Sequence, residues 1–378
     1  MADDDNSDRA DSHESTTDSV GSDEGLTTTH RIHPTDARDL SAIESNSVEL
    51  VVTSPPYPMI EMWDELFAEL SPTVKEQLAA GDGEAAFEAM HEVLDSVWDE
   101  IERVLAPGGI ACINIGDATR TIGGRFRVYP NHSRITEAFE QRGFDPLPDI
   151  LWHKPANSAA KFMGSGMLPP SAYVTLEHEY ILVFRNGYRR EFEPGADRRY
   201  EAAYFWEERN RWFTDLWTEI RGRLQDLSQD ELRDRAAAFP FEIPYRLVNM
   251  YSVYGDTVLD PFWGTGTTTL AAMVAGRNSV GYERDRSFLD HFGSQTAEIP
   301  RISREVTEQR IADHRGFVAD RVEAGESPDY EADNYEFPVM TSQEQEIQFY
   351  VVTDVAETPQ GYEIDHEPAE KHLLSENL

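Results

Sequence analysis

Thr257-Val258-Leu259-Asp260-Pro261-Phe262-Trp263-Gly264-Thr265-Gly266-Thr267-Thr268 is the stretch that decides how this chain folds. Thr257–Asp260 reads as a short buried strand. Gly264-Thr265-Gly266 reads as a tight turn, and Thr268–Ala275 as a helix ended by Gly276. Asn278–Glu283 reads as the next strand. Strand, glycine turn, helix and strand make the repeating unit of a parallel α/β sheet, which binds ligands at the carboxyl ends of its strands. Glycines there let the backbone approach a ligand closely. Glu283 lies 23 residues after Asp260, at the tip of the next strand, where a carboxylate can accept from both hydroxyls of a ribose. No Gly-Lys-Ser/Thr follows, which disfavours a phosphate-binding P-loop. Thr269 stands where a dinucleotide fold usually has its third glycine.

The same pattern extends outwards. Thr28–His33 is expected to be a strand ending near Asp36, and Ser47–Thr53 a buried strand running into Ser54-Pro55-Pro56-Tyr57. Phe87, Met90, Leu94, Val97, Ile101 and Val104 recur at helical steps, and Ala106-Pro107-Gly108-Gly109 is expected to be a turn. Ile110–Ile115, Asp149–His153 and Glu179–Phe184 read as further strands, and Ile135–Arg142 as a helix. The expected organisation has three parts: a disordered acidic tail over 1–27, a catalytic domain over 28–300 and an acidic segment over 301–378. Within that last segment Ile347–Val352 reads as a strand. Residues 187–235 fit neither period cleanly and read as an insertion.

Thr53-Ser54-Pro55-Pro56-Tyr57, followed some two hundred residues later by Asp260-Pro261-Phe262-Trp263-Gly264-Thr265-Gly266, resembles the beta class of S-adenosylmethionine-dependent DNA amino-methyltransferases. The likeness covers roughly residues 28–290. It implies an α/β, Rossmann-like fold in circularly permuted order, with a mainly parallel sheet and an antiparallel late strand. It implies S-adenosyl-L-methionine as cofactor and double-stranded DNA as substrate, with a cognate restriction endonuclease as a further partner. Asp260, Phe262, Gly264, Gly266 and Thr267 match the loop that holds the methionine part of the cofactor. Glu283 matches its ribose ligand, and Asp36 the residue that accepts from its adenine amine. Phe239-Pro240 begins a segment that closes over it. Leu105–Gly109 with Ile115-Gly116-Asp117 matches the helix–strand pair after the active site. Trp152-His153-Lys154-Pro155 with Asn157, and Glu177-His178-Glu179-Tyr180, match the region flanking the target base. Residues 187–235 match the target-recognition region. Lys154, Arg189 and Arg190 are the expected DNA contacts, with Arg198, Arg199 and Arg211 as further candidates. Serine at the head of the tetrapeptide points to cytosine N4, whereas an acidic residue or asparagine there usually accompanies adenine N6.

The chemistry explains the residue types. An exocyclic base amine is a poor nucleophile because its lone pair is conjugated into the ring. The Ser54 hydroxyl and the Pro55 carbonyl can accept its two hydrogens and aim that lone pair at a methyl donor. Pro55 and Pro56 fix the backbone and leave no N–H to compete for those carbonyls. Tyr57 can stack on a base rotated out of the duplex. Methylation at C5 of cytosine would need a cysteine nucleophile. The one cysteine, Cys112, lies inside an apolar strand and reads as core. A lone cysteine also excludes a disulfide framework and a thiolate metal site.

The net charge of −38 would repel DNA at low salt. Only four lysines accompany 71 acidic residues, the composition expected of a protein adapted to concentrated salt. There the Debye length falls to roughly 3 Å. Residues 118–190 reverse the sign with ten bases against six acids, and form the candidate polyanion-facing surface. No apolar run approaches membrane-spanning length, so a cytoplasmic enzyme is expected. The same enzyme acting on adenine N6 is the nearest alternative, and RNA as substrate and a catalytically silent DNA-binding regulator are the remoter ones.

Overall fold

The computed structural model describes residues 25–154, 163–220, 239–326 and 328–369. Their centre is an eleven-stranded sheet: β1 (Leu26–His33), β2 (Val48–Thr53), β3 (Leu105–Ile115), β4 (Phe144–Pro146), β5 (Ile150–His153), β6 (His178–Asn186), β7 (Leu216–Trp217), β8 (Thr257–Asp260), β9 (Asn278–Tyr282), β10 (Tyr350–Thr358) and β11 (Gly361–Pro368). The order is β7-β5-β6-β3-β2-β8-β9-β1-β11-β10, with β4 beside β6. The five central strands, β3 to β1 in that order, are mutually parallel. The late strand β6 runs antiparallel to β3. This is the α/β, Rossmann-like arrangement expected from the strand–glycine–helix unit.

Burial explains the layers. Central strands buried on both faces read as near-continuous apolar runs, as Val48–Thr53 does. One face is covered by α3 (Gly83–Val104) and α4 (Asn131–Gln141), with α1 (Asp64–Leu70) and α2 (Pro72–Ala80) beside them. Asp82 caps α3 by accepting from Ala85 N at 3.0 Å, and the helix buries Phe87, Met90, Leu94, Val97, Ile101 and Val104. Two short helices in the insertion follow, α5 (Asp197–Glu201) and α6 (Trp206–Trp212). The other face of the sheet carries α7 (Glu242–Tyr251), α8 (Thr267–Val274), α9 (Arg286–Gly293) and α10 (Ile299–Glu323).

Three expectations are corrected here. The turn over 106–109 is the start of β3, with Gly108 at φ +81° packed so tightly that a Cβ would fall 2.5 Å from Arg190 N. The first strand begins at Leu26 rather than at residue 28, because Leu26 and Thr27 pair with His366 and Asp365 of β11. Residues 1–24 lie outside the described residues. The chain beyond residue 300 builds α10 and the β10–β11 hairpin, which extends the central sheet across β1. Its strand is Tyr350–Thr358, later than the expected 347–352. Acidic side chains there decorate outward positions of elements that bury Ile311, Phe349, Val351 and Ile364.

The sheet order creates one crevice. From β2 the chain crosses to β3 on one side, and from β8 it crosses to β9 on the other. Where neighbouring parallel strands send their connections apart, a gap opens at their carboxyl ends. Ser54 follows β2 and Pro261 follows β8, so both motifs end at that gap.

Candidate active site

The two motifs are joined directly. Thr53 Oγ1 donates to Asp260 Oδ1 at 2.6 Å across the β2–β8 pair. An open pocket of about 290 Å³ lies over that bond, lined by Ser54, Phe239, Asp260, Phe262, Trp263, Gly264, Thr265 and Thr267.

The glycine turn is shaped by sterics. Gly266 sits at φ +78°, and a Cβ there would fall 2.6 Å from Trp263 and from Phe292. Trp263 also occupies the space beside Gly281, where a Cβ would be 2.2 Å away. Its indole N–H donates to Thr269 Oγ1 at 2.7 Å. Thr269, standing where a dinucleotide fold has glycine, thus anchors the loop. Glu283 accepts from Gly264 N at 2.9 Å and from Asp285 N at 2.8 Å. Its own N–H donates to the His33 carbonyl at 3.0 Å, which draws the Asp36 loop alongside. Asp36 accepts from Arg38 Nε and NH2 at 3.1 and 2.9 Å. Burial opposes ionisation at Asp36, but these bonds hold its carboxyl below the ordinary value. Phe239 lines the pocket, and the Pro240 carbonyl accepts from Ile243 N at the entry to α7.

Asp260 is the most perturbed group of the pocket. It is 3 % exposed, and burial lifts its pKa from 3.8 to about 6, although Thr53, Thr268 and the Phe262 amide act to lower it. A buried carboxylate whose donors do not offset its burial favours a cationic partner.

The proline turn is held from three sides. Asn131 Nδ2 donates to the Pro58 and Gly116 carbonyls at 3.1 and 2.9 Å, while its Oδ1 takes His91 Nε2 at 3.0 Å. Met59 adopts φ +67°, unusual for a bulky residue, and is buried with its N–H on Met90 Sδ. Ser54 Oγ lies 3.2 Å from Tyr57 Oη, which donates to Glu179 Oε2 at 2.9 Å. Asn114 Nδ2 donates to both Tyr57 Oη and Glu179 Oε2 at 2.8 Å, and Lys154 Nζ reaches Glu179 Oε1 at 2.6 Å. The Tyr57 ring is half-buried against Gly116, and burial with the nearby Glu179 pushes its phenol well up. Asp117 is bonded to His132 Nδ1 at 2.8 Å, and that ring stacks on Tyr180.

The structure therefore gathers Asp36, Ser54, Pro55, Pro56, Tyr57, Lys154, Phe239, Pro240, Asp260, Phe262, Gly264, Gly266, Thr267 and Glu283 on the side of the sheet where the central parallel strands end. Arg189 and Arg190 are a correction. They follow β6, which runs antiparallel, so they emerge at the opposite end of the sheet from the crevice. Arg190 is committed there to Asp256, with bonds of 2.6 and 3.0 Å, and covers Phe192. Arg211 pairs with Asp313 and Arg199 covers Phe192. Residues 155–162 and 221–238, including Pro155, Asn157 and residues 221–235 of the expected recognition region, lie outside the described residues. Cys112 is fully buried, and burial pushes its thiol well up, as a core residue requires. Asn114 and Asn131 were missed by sequence reasoning, and Glu179 was named there only as part of the segment flanking the target base. The available signal was a polar residue inside each of two apolar strands and one at a helix start.

Comparison with known proteins identifies the architecture. The DNA methylase family model N6_N4_Mtase matches residues 48–294. The chain belongs to this N6/N4 DNA methylase family. The methylase is 52 % identical over 328 residues to Type II methyltransferase M.MthZI of Methanothermobacter thermautotrophicus, covering 86 % of this chain and 91 % of that one. It is 54 % identical over 273 residues to Type II methyltransferase M.MjaI of Methanocaldococcus jannaschii, covering 69 % and 89 %. TTHA0409 of Thermus thermophilus, solved in complex with S-adenosyl-L-methionine, superposes with a TM-score of 0.55 at 33 % identity, over 72 % of this chain and 96 % of that one. The methylase uses S-adenosyl-L-methionine as its cofactor. The pocket suits it: a buried anion at Asp260, aromatic walls at Phe239 and Phe262, and a second carboxylate at Glu283.

Proposed function

We propose that this DNA methylase modifies the exocyclic N4 amine of cytosine within a short duplex site. The observation that carries the reading is Ser54, a neutral hydroxyl on the pocket wall it shares with Asp260 and Phe262. When bound, S-adenosyl-L-methionine supplies an electrophilic methyl group. Asp260, Phe262, Gly264, Gly266 and Thr267 would hold its methionine part, Glu283 its ribose and Asp36 its adenine amine, with Phe239-Pro240 closing over it. Ser54 Oγ and the Pro55 carbonyl accept the amine hydrogens of a base rotated out of the duplex, and alignment in the crevice provides most of the acceleration. Pro56 stiffens the turn, and Tyr57 orients Ser54 besides flanking the base. Lys154 stands at the rim for the DNA backbone. We further propose that the acidic surface suits concentrated salt, that residues 28–300 form the catalytic unit and that a restriction endonuclease accompanies the enzyme in the cytoplasm. Among the described residues no helix is long and apolar enough to cross a membrane.

Digestion of methylated DNA to nucleosides, with separation of the products, tests the target. N4-methyl-2′-deoxycytidine is the expected product, and N6-methyl-2′-deoxyadenosine alone would refute the cytosine reading while leaving the amine chemistry in place.

A further inference from the structure

We propose that Glu179 is the acceptor for the proton that methylation releases, reached through Tyr57 and Ser54. The inference rests on the proposed role of Ser54 towards the target amine, whether that amine is on cytosine or adenine.

The direction of the hydrogen bonds follows from valence. Asn114 Nδ2 can only donate, and a carboxylate paired with Lys154 can only accept. Turning the Asn114 amide would set its Oδ1 against Glu179, so the orientation is determined. Asn114 Oδ1 is left buried without a partner as a result. Tyr57 has one proton, and Glu179 Oε2 takes it at 2.9 Å. The contact between Ser54 and Tyr57 is then filled by the Ser54 proton. Ser54 therefore turns its lone pairs, not its hydrogen, towards the pocket it lines. A base amine placed there finds an acceptor whose own proton is already directed towards Glu179.

The step balances. The amine nitrogen forms its bond to the methyl carbon as the carbon–sulfur bond breaks and leaves its electron pair on sulfur, and the nitrogen then carries one hydrogen in excess. That N–H bond breaks and its proton passes to Ser54 Oγ. The Ser54 proton moves to Tyr57 Oη, and the Tyr57 proton moves to Glu179 Oε2. Both hydroxyls are regenerated, one carboxylate becomes a carboxyl, and nothing is oxidised or reduced. Glu179 is 9 % exposed, but Lys154 beside it has 48 % of its side chain in solvent, so the proton has an exit once product leaves. Glu179 touches no substrate and acts only through the two hydroxyls.

The test uses the full chain, unmethylated plasmid DNA and labelled S-adenosyl-L-methionine under single-turnover conditions. Glu179→Gln keeps the shape of the side chain but cannot hold the proton. Its rate should fall about a hundredfold, the scale of a lost general base, while cofactor affinity and the thermal midpoint stay at wild-type values. In Glu179→Ala, formate should restore the rate and formamide should not. The relay is overturned if Glu179→Gln keeps the wild-type rate within about threefold, or if formate and formamide act alike or neither acts. If the wild-type protein itself transfers no methyl to DNA amines, the proposed role of Ser54 falls along with it.

Discussion

Replacing Asp260 with asparagine should stabilise the cofactor-free protein while removing its grip on the cofactor. Burial raises this carboxyl from 3.8 to about 6, a difference worth about 3 kcal/mol at ~1.4 kcal/mol per pKa unit. The sign follows from proton counting. Between pH 4 and 6, by about one unit either way, the folded protein holds a proton here that the unfolded chain has lost. Stability from this group is therefore present at low pH, declines as pH rises through the folded value and stays absent above it. Asparagine keeps an oxygen for the Thr53 hydroxyl and the Phe262 amide, both now on Oδ1. It removes the buried charge but must find an acceptor for its new NH2, so a net gain of about 1–3 kcal/mol is expected above pH 6. Melts of both proteins across pH should show no difference near pH 4, a gap opening towards pH 6 in favour of the variant, and a plateau of a few degrees beyond. Titration calorimetry should show the opposite for S-adenosyl-L-methionine, with affinity lost by roughly 2–3 kcal/mol because the charged hydrogen bond proposed between Asp260 and its ammonium is gone. A variant no more stable than wild type at pH 7.5, or one that binds the cofactor equally well, would refute the reasoning.

Other consequences follow from particular contacts. Gly266→Ala places a Cβ 2.6 Å from the Trp263 and Phe292 rings at φ +78°, so cofactor binding measured by calorimetry should weaken at least tenfold, about 1.4 kcal/mol, with the fold retained by circular dichroism. Arg310→Met strands Glu208, which Arg310 holds at 2.6 and 2.7 Å between α10 and α6, and should cost about 3–5 kcal/mol in denaturant titrations. The Arg310→Met, Glu208→Leu pair should recover most of that loss. Raising potassium chloride from about 0.1 M to 2 M should raise the thermal midpoint, because the −38 net charge repels itself at low ionic strength. A falling midpoint would sink the reading of the acidic surface.

The legible parts of this protein are those whose causes are local. Thr257–Asp260, the two glycines of the turn and the helix behind them are specified by residues a few positions apart. The same is true of α3, whose apolar residues recur at helical steps and whose Asp82 cap lies just before it. Spacing also separated the ligand loop from a P-loop, and the apolar surroundings of Cys112 marked it as core. Arg189 and Arg190 misled because local charge carries no information about which end of a strand faces the crevice. The antiparallel direction of β6 settles that. The acidic C-terminal segment misled for a related reason. Its alternating outward charges hide inward residues whose partners lie on β1 and at the start of α6, far earlier in the chain.

By itself, the sequence determined the α/β class, the strand-end ligand loop and the types of residue that the chemistry needs. Tertiary structure alone decided that β2 lies next to β8, so that Thr53 meets Asp260, and that Asn114 and Glu179 converge on Tyr57 with Lys154 behind Glu179. The physical reason is that turns and helices are satisfied by neighbours along the chain. The lateral order of strands is instead chosen by burial of whole faces, and polar groups brought together by that order have no signature in the spacing of their residues.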